Sequence, residues 1–299
     1  MQFDDVITQI STDSFTAIAL PLFVLAIALE ALISLRQQRN VYAAKDFGVS
    51  VIMLFLSSLV DFLPKLVAFI VFLYLHELSP LRDVVQRQWW AWLLLFFLDD
   101  FVYYWFHRAN HEVRFFWAGH VPHHSSIKLN FGTALRQGVG ERVHKYFFWV
   151  PLPLLGFDPL MIFTIISLNL IYQFWVHTEL VKKLPRGIEW LFNTPSHHRV
   201  HHASNLCYLD RNHAGVLIIW DRMFGTFSEE RDVEPVEYGL TKDINTHNPI
   251  AVAVGEYLGL WRDIRAAEKQ VDKLRYFFLA PGWHHSKEDR RSNILRARD

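Results

Sequence analysis

Residues 89–112 read WWAWLLLFFLDDFVYYWFHRANHE. An apolar run opens on Trp89 and Trp90, closes near Trp105, and then delivers His107, His111 and Glu112. Aromatic residues at both ends of such a run mark the two interfaces of a bilayer. Asp100, Tyr104, His107 and His111 fall at i, i+4, i+7 and i+11, one stripe of a helix leaving the membrane. The stretch predicts a span that ends in two metal-ligating imidazoles. An aspartate near the end of a span is costly unless it has a task. The expected task for Asp100 and Tyr104 is to orient imidazole N–H groups from behind.

Working outward, His120, His123 and His124 follow, and then His198, His201 and His202 within Ser196-His197-His198-Arg199-Val200-His201-His202. Positions three and four apart share a helix face, so each cluster aims its ring nitrogens at one region. One metal takes about four to six ligands, so eight converging imidazoles suggest two metals. His177, in Trp175-Val176-His177-Thr178-Glu179, sits at the right depth to add a ninth ligand. His197 is expected to support its neighbour instead of binding, and His144 is equally placed to bind or not. His213, His284 and His285 read as surface or lid histidines, with His76 and His247 outside the site.

Hydrophobic residues make up 52% of the chain and aromatics 15%, with several apolar runs as long as a bilayer is thick. This predicts an all-α, polytopic membrane bundle carrying a histidine-rich cap on one face. Spans are expected near 15–35, 47–75 and 89–106, with a dipping hairpin at 146–176. The segment 47–75, interrupted at Pro64, reads as one kinked span or two short helices. The cap comprises 107–145 and 177–245, and the tail 256–299 includes a stretch patterned like an interfacial helix. Together these form a single domain, 1–299. Asp4 and Asp5 precede the first span where a secretory signal would be basic, which predicts an uncleaved anchor. If 47–75 crosses once, Arg36, Arg39 and Lys45 lie on the histidine side with the arginines of the tail. The positive-inside rule then puts the metals on the cytoplasmic face of a bacterial inner membrane or endoplasmic reticulum.

A formal net charge of +0 gives no sign of nucleic-acid binding. The single cysteine, Cys207, excludes an internal disulfide framework and a cysteine-rich zinc site.

The histidine pattern resembles that of the fatty acid hydroxylase/sterol desaturase superfamily of membrane di-iron enzymes: His-x(3,4)-His followed by two His-x(2,3)-His-His boxes. The runs Asn193 to His202 and Ala214 to Phe227, with Thr133-Ala134-Leu135-Arg136-Gln137 and Tyr238-Gly239-Leu240-Thr241, are most similar to its alkylglycerol monooxygenase branch. The likeness covers roughly residues 90–245. It implies that His107, His111, His120, His123, His124, His198, His201 and His202 bind two Fe ions, with His177 matching a further family histidine. It also implies that Glu112 matters for activity. His213 departs from the pattern, standing where relatives tend to carry tyrosine.

The resemblance further implies O2-dependent hydroxylation of a lipid C–H bond, the lipid entering sideways from the bilayer. In the alkylglycerol branch an ether lipid is oxidised and electrons come from tetrahydrobiopterin. No flavin, haem or nicotinamide motif is visible, so the donor is external, a pterin or a redox protein. Arg222 and Trp220 are the residues weighed for a pterin site, against a packing role. Three alternatives stay open: a fatty-acyl, sterol or aminolipid hydroxylase or desaturase, a metal-dependent membrane hydrolase, and a metal-binding or transport protein.

Overall fold

In a computed structural model, which describes residues 15–298, the chain is almost wholly helical. Among the described residues the only bridges of β type are two isolated pairs, Phe192 with Leu217 and Ala203 with Tyr238. Asp4 and Asp5 lie outside the described residues.

Four long helices build the frame: α1 (Phe15–Arg36), α2 (Ala44–Leu78), α3 (Trp89–Glu112) and, after two shorter ones, α6 (Pro159–Trp175). The shorter pair is α4 (Arg114–His124) and α5 (Glu141–Trp149). Their polarity is inverted relative to a water-soluble bundle. Leu22, Val24 and Leu35 of α1 and Phe55, Leu59 and Leu63 of α2 are exposed, whereas Glu30, Ser34, Asp46, Ser57 and Asp61 are buried. That distribution suits hydrocarbon as solvent, where polar side chains must find partners inside. α1 and α2 are long and apolar enough to cross a membrane; α6 is a shorter apolar helix. The protein is thus membrane-associated.

The segment around Pro64 resolves into one continuous helix of 35 residues. At about 1.5 Å per residue it rises some 50 Å, more than the ~30 Å hydrocarbon core. Its two ends are fixed by side chains. Asp46 pairs with Arg136 at 3.0 Å beside the histidines, while Ser79, just past the other end, donates to the Leu154 carbonyl at the hairpin turn. α3 starts at that turn, where Arg87 pairs with Asp158 at 2.9 Å, and runs back to the histidine end. The α1–α2 loop lies at the histidine end too, with Arg39 donating to the Glu179 carbonyl.

α5 runs away from the histidines, a short Pro151–Leu154 helix turns the chain, and α6 returns. Gly156, at φ +89°, takes the left-handed backbone that this turn requires. Phe69, Phe72, Tyr146, Trp149 and Phe163 fill the core between α2, α5 and α6. α7 (Pro195–His201), α8 (Pro249–Ala266) and α9 (Gln270–Phe278) complete the cap. The tail does not float free: Arg114 of α4 pairs with Glu256 and Asp263 of α8 at 2.8 and 2.7 Å. Ile250, Val254, Leu258 and Trp261 nevertheless leave an exposed apolar stripe on α8.

Candidate metal centre

The helical repeat positions most of the imidazoles. α3 carries His107 and His111 one turn apart, α4 carries His120, His123 and His124, and α7 with its C-cap carries His198, His201 and His202. His177 follows the end of α6. All nine are buried and fall into two groups. His107, His111, His120, His124 and His201 form one; His123, His177, His198 and His202 form the other. Within each group the ligand atoms lie within 4.8 Å of one another. The groups cut across the sequence clusters, since neighbouring positions on a helix differ by about 100°.

Hydrogen bonding decides which ring nitrogen faces inward. His107 lies 2.8 Å through Nδ1 from the His213 carbonyl, His123 3.2 Å from that of Arg136, His177 2.7 Å from that of Gln173 and His201 2.9 Å from that of Arg211. A carbonyl only accepts, so each Nδ1 carries the proton and each inward Nε2 presents a lone pair. His123 and His177 then set two lone pairs 3.2 Å apart. Nε2 of His111 and of His201 are buried with no partner at all. Facing lone pairs repel, and a shared cation relieves the repulsion. The residues present fit a metal.

Two carboxylates extend the pattern. Nδ1 of His111 lies 3.1 Å from Asp210 and that of His120 lies 3.5 Å from Glu141. Burial by itself would raise the Glu141 pKa, but His120 beside it holds the carboxyl down to about 2. Burial drives the imidazoles the other way: His124, His198, His201 and His202 sit well below the ordinary range, and His177 is lowered to about 4. They are neutral, the state that binds metal.

Three expected site residues are used differently. Asp100 does not orient an imidazole: its oxygens accept from the Val216 and Leu217 amides at 2.8 and 2.9 Å and from Trp220 Nε1 at 2.9 Å. It therefore fastens the loop after the third histidine cluster to α3. Gly215 permits the approach, since a Cβ there would lie 3.0 Å from Asp100 Oδ1 and 2.7 Å from Asn169 Oδ1. Tyr104 bonds to Thr226 and Arg108 and orients none of the nine clustered imidazoles, its ring lying 6.3 Å from that of His213. Glu112 pairs with Arg108 at 2.8 Å with its side chain 47% exposed, so it faces outward from the group that contains His111. The imidazole-orienting role falls to Asp210, Glu141 and backbone carbonyls. These come from distant positions, and no spacing in the sequence marks them.

His213 is the clearest departure from expectation. It is fully buried instead of superficial, its ring centroid 5.0 Å from that of His111, with no partner at either nitrogen. His144 stands apart, stacked 4.3 Å on Phe116 with Nε2 2.9 Å from Asn110. His197 pairs with Glu189 at 3.1 Å and supports α7. Trp220 and Arg222 serve packing: Arg222 donates to the Glu189 and Trp190 carbonyls and lies over Phe227.

The fatty acid hydroxylase family model matches residues 92–226, the stretch that holds all nine clustered histidines. Alkylglycerol monooxygenases of Xenopus tropicalis, Homo sapiens and Danio rerio are 47%, 44% and 41% identical to the chain, over 68%, 72% and 90% of its length. The chain covers 46%, 48% and 60% of those proteins, so it spans about half the length of the curated relatives it matches. No solved structure matches the chain.

Two cavities reach the histidine groups. One of about 150 Å³ touches both histidine groups, at His107 and His120 and at His123, His177 and His198, and its wall includes Leu20, Phe23, Leu54 and Leu170. The other, about 440 Å³, touches His111, His124 and His201 of the nine clustered histidines and is walled by Trp117, Trp283, His284, Lys242 and Asp263. The site is thus approached from two sides, by the smaller cavity among the membrane helices and by the larger one through the cap.

Proposed function

We propose that the chain is a membrane di-iron oxygenase that hydroxylates a lipid C–H bond, of the alkylglycerol monooxygenase kind. The observation that carries this reading is the pair of buried histidine groups, lone pairs inward, flanking one cavity that opens among the membrane helices. His107, His111, His120, His124 and His201 would hold one iron; His123, His177, His198 and His202 would hold the other. Imidazole suits iron and leaves positions open for small ligands. The chemistry supplied by bound iron is reductive activation of O2 for insertion of one oxygen atom into a C–H bond.

The chain's own residues bind, orient and exclude water. Glu141, Asp210 and the carbonyls of His213, Arg136, Gln173 and Arg211 fix the tautomers of the imidazoles, so that no proton has to leave before metal binds. Leu20, Phe23, Leu54 and Leu170 receive an alkyl chain and keep the site dry. The larger cavity admits a diffusible two-electron donor such as tetrahydrobiopterin, or the reducing group of a redox protein, on the cap side. With an ether lipid, O2, two electrons and two protons yield a hydroxyl on the carbon beside the ether oxygen, plus water. The resulting hemiacetal collapses to an aldehyde and a glycerol. Arg36, Arg39 and Lys45 at the histidine end support a cytoplasmic orientation.

Metal analysis with oxygen uptake tests the reading. Two irons per chain and O2 consumption that depends on both an alkylglycerol and a reductant are expected. Zinc in place of iron, with no uptake, would favour a hydrolase.

A further inference from the structure

The 150 Å³ cavity has a polar wall that the alkyl chain does not explain. Asp61 lies in the middle of α2, where an ionisable side chain marks a function by default. Its Oδ2 accepts from Arg142 at 2.7 Å, while its buried Oδ1 has no partner. Across the same cavity stands Lys145, 5% exposed. Its ammonium lies over the rings of Phe106 and Trp149 at 5.6 and 5.2 Å, and it forms no ion pair among the described residues. A carboxylate oxygen only accepts and an ammonium only donates. A ligand that satisfies both must accept and donate, which is the property of a hydroxyl. A phosphate head accepts only and would meet Asp61 with like charge; an ammonium head donates only and would meet Lys145 likewise. Asp61 and Glu141 balance Arg142 and Lys145, so the wall offers no net charge to an ionic head.

We propose that Asp61 and Lys145 form the specificity site for a hydroxyl on an uncharged lipid head, holding the lipid while its chain lies against the histidine groups. That the occupant is the substrate rests on the oxygenase reading; that the site prefers a hydroxyl does not.

Binding separates the two. The full chain in detergent micelles is titrated with 1-O-hexadecylglycerol and with its di-O-methyl ether, which keeps the chain and removes the donors. The unsubstituted protein is expected to favour the diol by about tenfold, the worth of one or two buried hydrogen bonds. Asp61→Asn, whose amide oxygen stays on Arg142 and turns an N–H toward the cavity, is expected to abolish that preference, whereas Lys145→Met, whose stem still covers Phe106 and Trp149, is expected to weaken both lipids alike because the oxygens of both accept. Helical content and metal loading are measured on each variant. Equal affinity of the unsubstituted protein for both lipids overturns the proposal, as does a preference that survives in folded Asp61→Asn or unchanged affinity for both lipids in folded Lys145→Met. Oxygen uptake is followed alongside: an intact preference without uptake defeats the oxygenase reading and leaves the hydroxyl site standing.

Discussion

His123 and His177 stand 54 residues apart in the chain and set their Nε2 atoms 3.2 Å from each other, each with its Nδ1 facing a backbone carbonyl. Two imidazoles so arranged have no hydrogen bond to share. A cation between them relieves the repulsion of the facing lone pairs, and the contact defines one half of the site.

Because the two groups share no residue, their metals should be separable. His177→Ala is expected to remove about one metal equivalent and leave the five-histidine group loaded; His201→Ala is expected to do the reverse. Metal content by mass spectrometry reads both. Full loading in both variants would show that the groups do not bind as drawn.

The two carboxylates of the cap make opposite predictions. Glu141 supports His120, so Glu141→Gln should weaken metal binding by about 10–100-fold. Glu112 faces outward and pairs with Arg108. Glu112→Ala should leave metal content unchanged and lower turnover, as expected of a residue acting at the rim. Equal loss of metal in the two variants would contradict this division.

Asp100 holds a loop, so its replacement should be felt in folding. Asp100→Asn keeps the shape but loses the charge that accepts four N–H bonds. A cost of about 1–3 kcal/mol follows from hydrogen bonds to a buried charged group. Thermal unfolding of the metal-free variant measures it, and an unshifted midpoint would count against the anchoring role.

Acid should unfold the metal-free protein early. Burial holds His177 neutral down to about 4. An unfolded histidine takes up a proton near 6.5. Below about 6.5 the unfolded chain therefore binds protons that the folded one refuses, and stability falls with pH. Each such imidazole contributes about 1.4 kcal/mol per pH unit until its folded pKa is reached. Urea midpoints between pH 7.5 and 5 should decline in the metal-free protein and much less in the loaded one. A flat profile without metal would mean that the imidazoles are not held neutral.

The sequence by itself determined the helical class, the membrane association and the clustered histidines. Hydrophobic run length and the 3.6-residue repeat are local properties, and they act before any distant contact forms. The tertiary structure alone decided how the histidines divide. His123 and His124 are adjacent on α4 and point about 100° apart, so each finds a different group once α3, α6 and α7 are packed around it. The same holds for the supports. Asp210 reaches His111 across 99 residues and Glu141 reaches His120 across 21, whereas Asp100, which the helical stripe had aimed at the imidazoles, meets amides 116 and 117 residues away. Spacing states which side chains share a face; only packing supplies what that face meets.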